Sequence, residues 1–335
     1  MKKIGRNSLI FDDVFIENTS VVTGPKEKDG PIGNYYDYSY DNNYCNEKTW
    51  EKAEIALVKK AFEIVCIKEK LGPNEIDVMF GGDLNNQIAI STYAMRNTFI
   101  PFFGTFAACS TITENIILGS IYVDTLKNAK VLVSSSSHNA TSERQFRYPT
   151  EYGGQKPTSM TFTATAAGMC LLGSRRTNIR VKSGTIGKII DVKQKDAQDM
   201  GRVMAPSAAE TLFDHLTNFG ETINDYDAII TGDLSIYGSE LFIKCCAENG
   251  IMVRDKHQDA GKNLYDIKRQ KVFAGGSGCG CITAYLLSYV VAEIVKGTFK
   301  RVLVLATGAL LNPVMIAQKD TIPCISHAIS LERCD

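Results

Sequence analysis

Short apolar stretches alternate with amphipathic helical stretches along the chain, and this pattern occurs twice. The stretch Ile76–Leu84 (IDVMFGGDL) recurs as Tyr226–Leu234 (YDAIITGDL). Further on come Cys109, a predicted helix over Thr111–Leu126 and a strand over Lys130–Ser134, whose counterparts are Gly278–Cys281, a helix through Val295 and a strand over Arg301–Leu305. Such alternation predicts parallel sheet with helical crossovers, and the repeat predicts two units related by a pseudo-twofold axis.

Other stretches predict the elements around these repeats. Trp50–Leu71 keeps apolar positions at helical spacing, and the Gly-Pro pair that follows ends this helix. A short strand is expected over Ser8–Ile16. Asn34–Tyr44 is dense in Tyr and Asn and predicts a loop, either solvated or covering a cleft or a partner. The second repeat differs in a longer connection, Val253–Gln270.

Composition narrows the class of protein. The chain has 335 residues, 44% of them hydrophobic, which is enough for a large core and about two domains. A formal net charge of zero argues against a nucleic-acid partner. Ten cysteines without regular spacing, and no recognisable signal peptide, favour a soluble intracellular protein over a disulfide framework or a zinc site. The longest apolar candidate, Ile282–Val295, is too short to span a membrane, so any membrane association is expected to be peripheral.

Cys109 is the first candidate for chemistry. Small residues flank it, and it precedes a predicted helix, whose N-terminus would lower the pKa of the thiol. The alternative is a buried structural cysteine, because free cysteines are among the most buried residues. In the second repeat the Gly275–Gly278 turn takes the corresponding place, so Cys109 and this turn are expected to face a common cleft.

A polar segment, Ser134–Pro157, follows the strand of the first repeat and is the second candidate. It is expected at the carboxyl end of a parallel strand, where open α/β sheets bind their ligands. His138, Arg144 and Arg147 could donate hydrogen bonds to an anionic ligand, since the planar fork of arginine fits carboxylates. The alternatives are a structural histidine and arginines that pair with Glu143 and Glu151.

Several segments together resemble a known family. They are Gly24–Pro31, Ser137–Ala140, Glu143–Pro157, Val272–Cys279 and Ala306–Leu310. The duplication with its small-flanked cysteine is similar to the thiolase and condensing-enzyme superfamily, and these segments resemble the stage V sporulation protein AD family within it. The resemblance implies an α/β thiolase-like fold of two βαβαβαββ halves, layered α-β-α-β-α with pseudo-twofold symmetry. The halves are expected at residues 1–185 and 186–335.

The resemblance also implies a function. Members of the family are expected to bind dipicolinic acid, free or with calcium, for its uptake into the developing spore and its release on germination. Membrane proteins of the same operon are the implied partners, with a peripheral location at the spore inner membrane. A homodimer through strands of the first half is implied by the superfamily. No other cofactor is expected, and calcium would be held mainly by the ligand.

Catalysis is not expected, although the fold is that of enzymes. Condensing enzymes pair the cysteine with a histidine and with an asparagine or second histidine, at positions that here fall near Gly232-Asp233 and Gly276. Neither position offers an imidazole or an amide side chain. The site is therefore predicted to be a former active site kept as a pocket, lined by the following residues: Cys109, Ser110, His138, Asn139, Arg144, Arg147, Gly276 and Ser277.

Two other functions stay open on the sequence. One is an active condensing or thioester-cleaving enzyme that uses Cys109, with His138 as an unorthodox base. The other is a scaffold, in which Asn34–Tyr44 and the polar segment dock membrane subunits.

Overall fold

Two halves with the same strand order make up the protein. The computed structural model describes residues 1–334. The first half consists of β1 Lys2–Ile4, β2 Ser8–Ile10, β3 Phe15–Thr23, α1 Pro25–Lys28, β4 Tyr38–Ser39, α2 Trp50–Glu69, β5 Val78–Asp83, α3 Ala89–Met95, β6 Phe102–Gly104, α4 Thr111–Thr125, β7 Val131–Ser137, α5 Asn139–Phe146, β8 Phe162–Thr163 and β9 Ala166–Gly173. The second half consists of β10 Ile179–Thr185, α6 Met200–Phe219, β11 Ala228–Thr231, α7 Ser235–Glu248, β12 His257–Asp259, α8 Ala260–Asn263, β13 Gly276–Ser277, α9 Cys279–Ala284, α10 Val291–Lys296, β14 Arg301–Ala309, α11 Pro313–Ala317 and β15 Cys324–Arg333.

The strand order repeats element by element. In the first half the order is β6-β5-β7-β9-β3, and in the second it is β12-β11-β14-β15-β10. β5 is parallel to β6 and β7, as β11 is to β12 and β14, and the last strand of each half is antiparallel. Each half thus follows the predicted βαβαβαββ order. β10 also pairs antiparallel with β2 and β3, which joins the two halves into one continuous ladder.

Helices and strands form five layers in the order α-β-α-β-α. The helices α4 and α9 contact each other and pack between the strands of the two halves. On the outside, α2 and α3 cover the first half, and α6 and α7 cover the second. Strands such as β5 and β7 are buried along their whole length, as expected for parallel strands covered on both faces. The predicted α-β-α-β-α layering is confirmed.

The strand order bears on where the second half begins. β10 occupies the position in the second half that β3 occupies in the first. This equivalence favours a boundary before Ile179, because β10 would otherwise be counted with a half to which its order does not belong. The division at residues 185 and 186 stays a prediction.

Two local predictions were wrong. The single strand over Ser8–Ile16 is two strands, because Asp12 and Asp13 interrupt the apolar pattern and the chain turns there. The strand expected to end near Ser134 continues to Ser137, followed by α5 instead of a loop. The hydroxyls of its last three serines find partners in the interior: Ser135 bonds Thr283 (2.5 Å), Ser136 donates to Glu54 (2.9 Å), and Ser137 donates to the Ala164 carbonyl (2.7 Å).

The longer connection of the second repeat also has more structure than predicted. It contains β12, which pairs parallel with β11 and is the counterpart of β6. The side chain of Asp259, at the end of β12, accepts hydrogen bonds from the Leu234 N–H (3.0 Å) and the Ser235 N–H (2.8 Å). These bonds hold the beginning of α7 against the sheet, so the connection belongs to the core of the second half.

One helical stretch, Cys279–Lys296, is long and apolar enough to span a membrane by length and composition, which corrects the expectation from the sequence. It runs from α9 through a π-helical segment at Tyr285–Val290 to α10. About 67% of it is buried inside the protein. Core helices of this kind pass the same test, so the stretch is weak evidence for a membrane span.

Candidate functional site

Cys109 lies where the two halves meet, at the start of the central helix α4. The preceding residue, Ala108, has a left-handed backbone (φ 49°), which turns the chain into the helix. The Ser110 hydroxyl donates to the Ala306 carbonyl (2.9 Å) and accepts from the His327 N–H (3.1 Å). Ser110 therefore ties α4 to the strands of the second half and has no free group for a ligand.

A buried carboxyl, that of Asp233, lies beside Cys109. Asp233 is fully buried and accepts hydrogen bonds from the Thr307 hydroxyl (2.7 Å) and the Gly278 N–H (3.0 Å). Burial raises the pKa of Asp233 to about 7. Burial, and then the neighbouring Asp233, raise the pKa of the Cys109 thiol well above its ordinary value. The helix N-terminus is thus outweighed, and the thiol stays protonated.

A narrow cavity adjoins Cys109. Its volume is about 30 Å³, room for about one water molecule. Polar and apolar residues from both halves line it: Leu84, Phe106, Ala108, Cys109, Ser142, Phe146, Arg147, Thr163, Met200, Ser277, Gly278, Ala309 and Leu311. We call it the inner cavity. A ligand larger than water requires the side chains around it to move.

A second, larger cavity lies on the other side of Arg147. Its volume is about 310 Å³, and the segment Glu143–Lys156 forms most of its wall together with Met160 and Gln198. The rings of Tyr148 and Tyr152 stack there with centroids 5.4 Å apart. We call it the outer cavity. Arg147 lines both cavities.

Arg147 is held by one carboxylate and keeps one donor unused. Its side chain is only 5% exposed, and its Nη1 donates to Glu143 Oε1 at 2.7 Å. The other oxygen of Glu143 accepts from Lys156 Nζ at 2.9 Å. Within residues 1–334 no partner is found for the buried Nε of Arg147, nor for Oε1 of Gln198. Two cations share one buried carboxylate here, so the group carries a net positive charge.

His138 does not reach either cavity, which corrects the expectation that it faces the cleft. It is fully buried at the N-cap of α5, where Nδ1 accepts from the Ala140 N–H (3.2 Å). Its Nε2 lies 2.7 Å from the Asn43 carbonyl and is assigned as the donor. Burial lowers the pKa of His138 to about 4, so the ring is neutral. Both nitrogens are used, as in the structural alternative.

The Tyr-rich loop packs over His138. Tyr44 stacks on Trp50 with centroids 3.8 Å apart, and Trp50 lies 5.5 Å from the His138 ring. The indole N–H of Trp50 donates to Glu151 (3.1 Å), in the wall of the polar segment. Trp50 is the one tryptophan of the chain. Its fluorescence therefore reports on this region alone.

The remaining predicted residues also divide between the cavity and its surroundings. Ser277 lines the inner cavity, and its Oγ accepts from the Thr161 hydroxyl (2.7 Å). Asn139 donates to the Thr163 carbonyl (3.2 Å), outside the cavity. Arg144 is exposed and pairs with Glu51 at the surface. Gly276 packs under Tyr265.

The inner cavity therefore brings together three of the predicted residues, Cys109, Arg147 and Ser277. It leaves out the other five: Ser110, His138, Asn139, Arg144 and Gly276. Whether any of the eight binds a ligand stays a prediction.

Several site residues were not singled out from the sequence. Tyr148, Tyr152 and Lys156 lie in the segment that was recognised, and only their packing against the cavity distinguishes them. Asp233 carried a signal, because Gly-Asp-Leu occurs in both repeats. In residues 1–334 no group of three or more His, Cys, Asp or Glu side chains is placed to hold a metal ion.

Solved structures define the class of protein. An OleA variant from Xanthomonas campestris matches 97% of this chain and 99% of its own, with a TM-score of 0.62 and 11% identity. The 3-oxoacyl-[acyl-carrier-protein] synthase III of Aquifex aeolicus VF5 matches 95% of this chain and 99% of its own, with a TM-score of 0.56 and 13% identity. The fold is thiolase-like. Identities this low concern the fold alone.

Sequence comparison then gives the family. The profile of stage V sporulation protein AD (SpoVAD) matches residues 5–332. The stage V sporulation protein AD of Bacillus subtilis (strain 168) is 43% identical over 334 residues, covering 99% of this chain and 98% of that protein. The chain belongs to the stage V sporulation protein AD family.

Proposed function

We propose that the chain binds dipicolinic acid in the cleft formed by the inner and outer cavities, and that it does so without catalysis. The observation that supports this most directly is Arg147. This residue lines both cavities, its side chain is almost buried, and its guanidinium has an unused N–H donor. A buried donor without a partner costs stability unless a ligand satisfies it.

The chemistry of the ligand fits the surroundings of Arg147. Dipicolinate is a flat aromatic dianion with carboxylates on both sides of a ring nitrogen. The net positive charge of Arg147, Lys156 and Glu143 suits a carboxylate, and the stacked Tyr148 and Tyr152 suit an aromatic ring. The outer cavity is the larger of the two, so the ring is placed there with one carboxylate directed at Arg147.

The absence of catalysis is inferred from Cys109 and its neighbours. Acyl transfer needs a thiolate or a base that forms one, together with donors for an oxyanion. The place where the superfamily resemblance expects an imidazole holds Gly232 and Asp233, and burial together with the Asp233 carboxyl raises the pKa of the thiol. Gly276 provides no side-chain donor. Loss of one oxyanion donor alone typically slows such reactions by about 10²- to 10³-fold.

Family membership supports a role in sporulation, and the finer role is part of the proposal. We place the chain in the uptake of dipicolinic acid into the spore and its release on germination, at the inner membrane beside membrane proteins of its operon. Calcium, where present, is carried mainly by the ligand's own oxygens and nitrogen. A homodimer is proposed through β6, an edge strand on which Phe103 is 56% exposed.

The test is calorimetric titration of the purified protein with dipicolinic acid, with and without calcium. Arg147→Met is expected to weaken binding about 10- to 100-fold, because a charge-assisted hydrogen bond is lost. Arg144→Met is the matched control and should change it less than about twofold, since Arg144 is exposed and pairs at the surface. Equal effects of the two variants would place the ligand elsewhere.

A labelling experiment tests the absence of catalysis. The protein is incubated with acetyl-CoA and its intact mass is measured. No adduct is expected on Cys109. An acetyl adduct that turns over, without dipicolinate binding, would mean that the protein is a working enzyme.

A further inference from the structure

The segment Gly24–Pro31, one of those that carry the family resemblance, contains a carboxyl that the proposed site does not use. Glu27 on α1 is fully buried. Its Oε1 accepts hydrogen bonds from the Thr165 N–H (3.0 Å) and from the Tyr265 hydroxyl. Its Oε2 has no partner among the described residues. Within residues 1–334 no cation is bonded to it, which is unusual for a fully buried carboxyl.

Glu27 joins three separate parts of the chain. Tyr265 belongs to the connection that distinguishes the second repeat, and its ring meets Phe162 of β8 edge-on, with centroids 5.8 Å apart. The connection is fastened to α1 by the Gln270 side chain, which donates to the Lys26 carbonyl (2.8 Å). Thr165 follows β8, whose Thr163 lines the inner cavity. The carboxyl therefore lies directly behind one wall of the site.

Thr165 connects Glu27 to the beginning of α5. Its hydroxyl accepts from the Asn139 N–H (3.1 Å), and the Thr163 carbonyl accepts from the Asn139 side chain (3.2 Å). Asn139 is the first residue of α5, which carries Glu143 and leads into Arg147. A chain of hydrogen bonds thus runs from Glu27 through Thr165 to the helix that presents the anion-binding group.

We propose that Glu27 is a positioning residue of the ligand site, which fixes Thr165 and through it the start of α5, so that Arg147 faces the cavities. Burial raises the pKa of Glu27, while the hydrogen bonds from the Tyr265 hydroxyl and the Thr165 N–H, and the charge of the half-buried Lys26, oppose this rise. The other titratable groups facing it, Tyr36, Tyr265, Cys45 and Cys281, are uncharged at neutral pH. Gly24 is needed beside it, since a Cβ there would lie 2.9 Å from Oε2.

The inference rests on the proposed function. The first of its two experiments needs no ligand and is therefore independent of that function. Hydrogen exchange of the α5 amides is measured without ligand in the wild type, Glu27→Gln and Glu27→Ala. Glu293→Ala, which removes a buried carboxyl on α10, is the control for general destabilisation. Glu27→Ala is expected to speed α5 exchange at least tenfold, and Glu27→Gln and Glu293→Ala should not. Unchanged exchange in Glu27→Ala would overturn the proposal.

The second experiment measures dipicolinate affinity by calorimetry from pH 6 to pH 9. At pH 7 Glu27→Gln is expected within about threefold of the wild type, because an amide keeps the acceptor oxygen, and Glu27→Ala at least tenfold weaker. At higher pH the wild type should weaken as Glu27 ionises, whereas Glu27→Gln should not. A glutamine variant at least tenfold weaker than the wild type would overturn the proposal. The glutamine profile decides the question even if Glu27→Ala does not fold.

Wild-type protein that binds no dipicolinate would end the proposed function without deciding this inference. In that case hydrogen exchange of the α5 amides alone tests whether Glu27 positions α5.

Discussion

Gly82-Asp83-Leu84 at the end of β5 and Gly232-Asp233-Leu234 after β11 are the same sequence at the same place in the two halves. Asp83 accepts from the N–H groups of Asn85 (2.9 Å) and Ser91 (2.8 Å), so it caps the chain that follows it. Asp233 instead bonds Thr307 and Gly278 at the site. In the second half Asp259 does the capping, which leaves Asp233 available to the cleft.

Each of the two aspartates also acts on the cysteine of the opposite half. Asp233 of the second half raises the pKa of Cys109 in the first, and Asp83 of the first half raises the pKa of Cys279 in the second, after burial in each case. The pseudo-twofold axis explains this exchange, because each central helix begins at the strand ends of the opposite half. Of the two cysteines, Cys109 lines the inner cavity and Cys279 does not, so one of two similar arrangements adjoins the proposed site.

The largest effect is expected at the glycines of this pair. A Cβ at Gly82 would lie 2.3 Å from the Thr105 carbonyl oxygen, whereas at Gly232 the nearest atom is the Thr307 nitrogen at 3.0 Å. Gly82→Ala should lower the free energy of unfolding by about 3 kcal/mol and Gly232→Ala by about 1 kcal/mol or less. Urea unfolding measures both. Equal losses would mean that the two strand ends are equally tight.

The second effect is on the pH dependence of stability. Asp233 has a folded pKa of about 7 and an unfolded pKa of about 3.9, so its contribution is full below pH 4 and is lost as the pH rises to about 7. Glu54 is buried beside Asp83 in the first half, and burial and Asp83 raise its pKa to about 8. The stability that Glu54 contributes is therefore lost up to about one pH unit higher than that of Asp233. While each group titrates, the free energy of unfolding falls by at most about 1.4 kcal/mol per pH unit.

Urea unfolding between pH 5 and pH 8.5 tests this. Asp233→Asn should flatten the curve up to about pH 7, and Glu54→Gln up to about pH 8. The four histidines, whose pKa values burial lowers, act in the opposite sense below about pH 6.5, but they cancel in the difference from the wild type. Superimposable curves for both variants and the wild type would contradict the buried, proton-binding state of these carboxyls.

The third effect concerns the reactivity of Cys109. Asp233→Asn removes the carboxyl that disfavours the thiolate, so alkylation of Cys109 by iodoacetamide at pH 8 should become about tenfold faster. Asp83→Asn is the matched control and should leave Cys109 within about twofold. Peptide mass spectrometry follows each site. Faster reaction of Cys109 in the Asp83 variant would argue against the pairing of each aspartate with the cysteine of the opposite half.

The smallest effect is expected on dipicolinate binding, in a comparison of variants from the last connection of each half. Tyr152 lies in the long connection between β7 and β9, and Met315 lies on α11 in the shorter one between β14 and β15. Tyr152→Ala should weaken dipicolinate binding about fivefold, or about 1 kcal/mol, by removing one ring of the stacked pair. Met315→Ala should not change it. Calorimetry that finds both variants unchanged would remove the tyrosines from the proposed site.

Predictability differed between the fold and the site. Apolar periodicity and the repeat led to the correct fold class, and the helix over Thr111–Leu126 was placed within one residue of its end. The serine run of β7 was misjudged, because polar residues in a buried strand depend on partners such as Glu54 that are distant in sequence. In the same way His138 was assigned to the cleft, although the Asn43 carbonyl and the N-cap position use both of its nitrogens.

The sequence by itself determined the duplication, the family and the segment that holds Arg147, because these follow from local periodicity and from short motifs of neighbouring residues. The five layers were expected because the resemblance to the family implies them. Only the tertiary structure decided that Asp233 stands beside Cys109, that Arg147 and not Arg144 is buried, and that Glu27 lies behind the wall of the site. The reason is physical. Burial and the partners of a polar group, which set its pKa and its free donors, come from residues far apart in the chain.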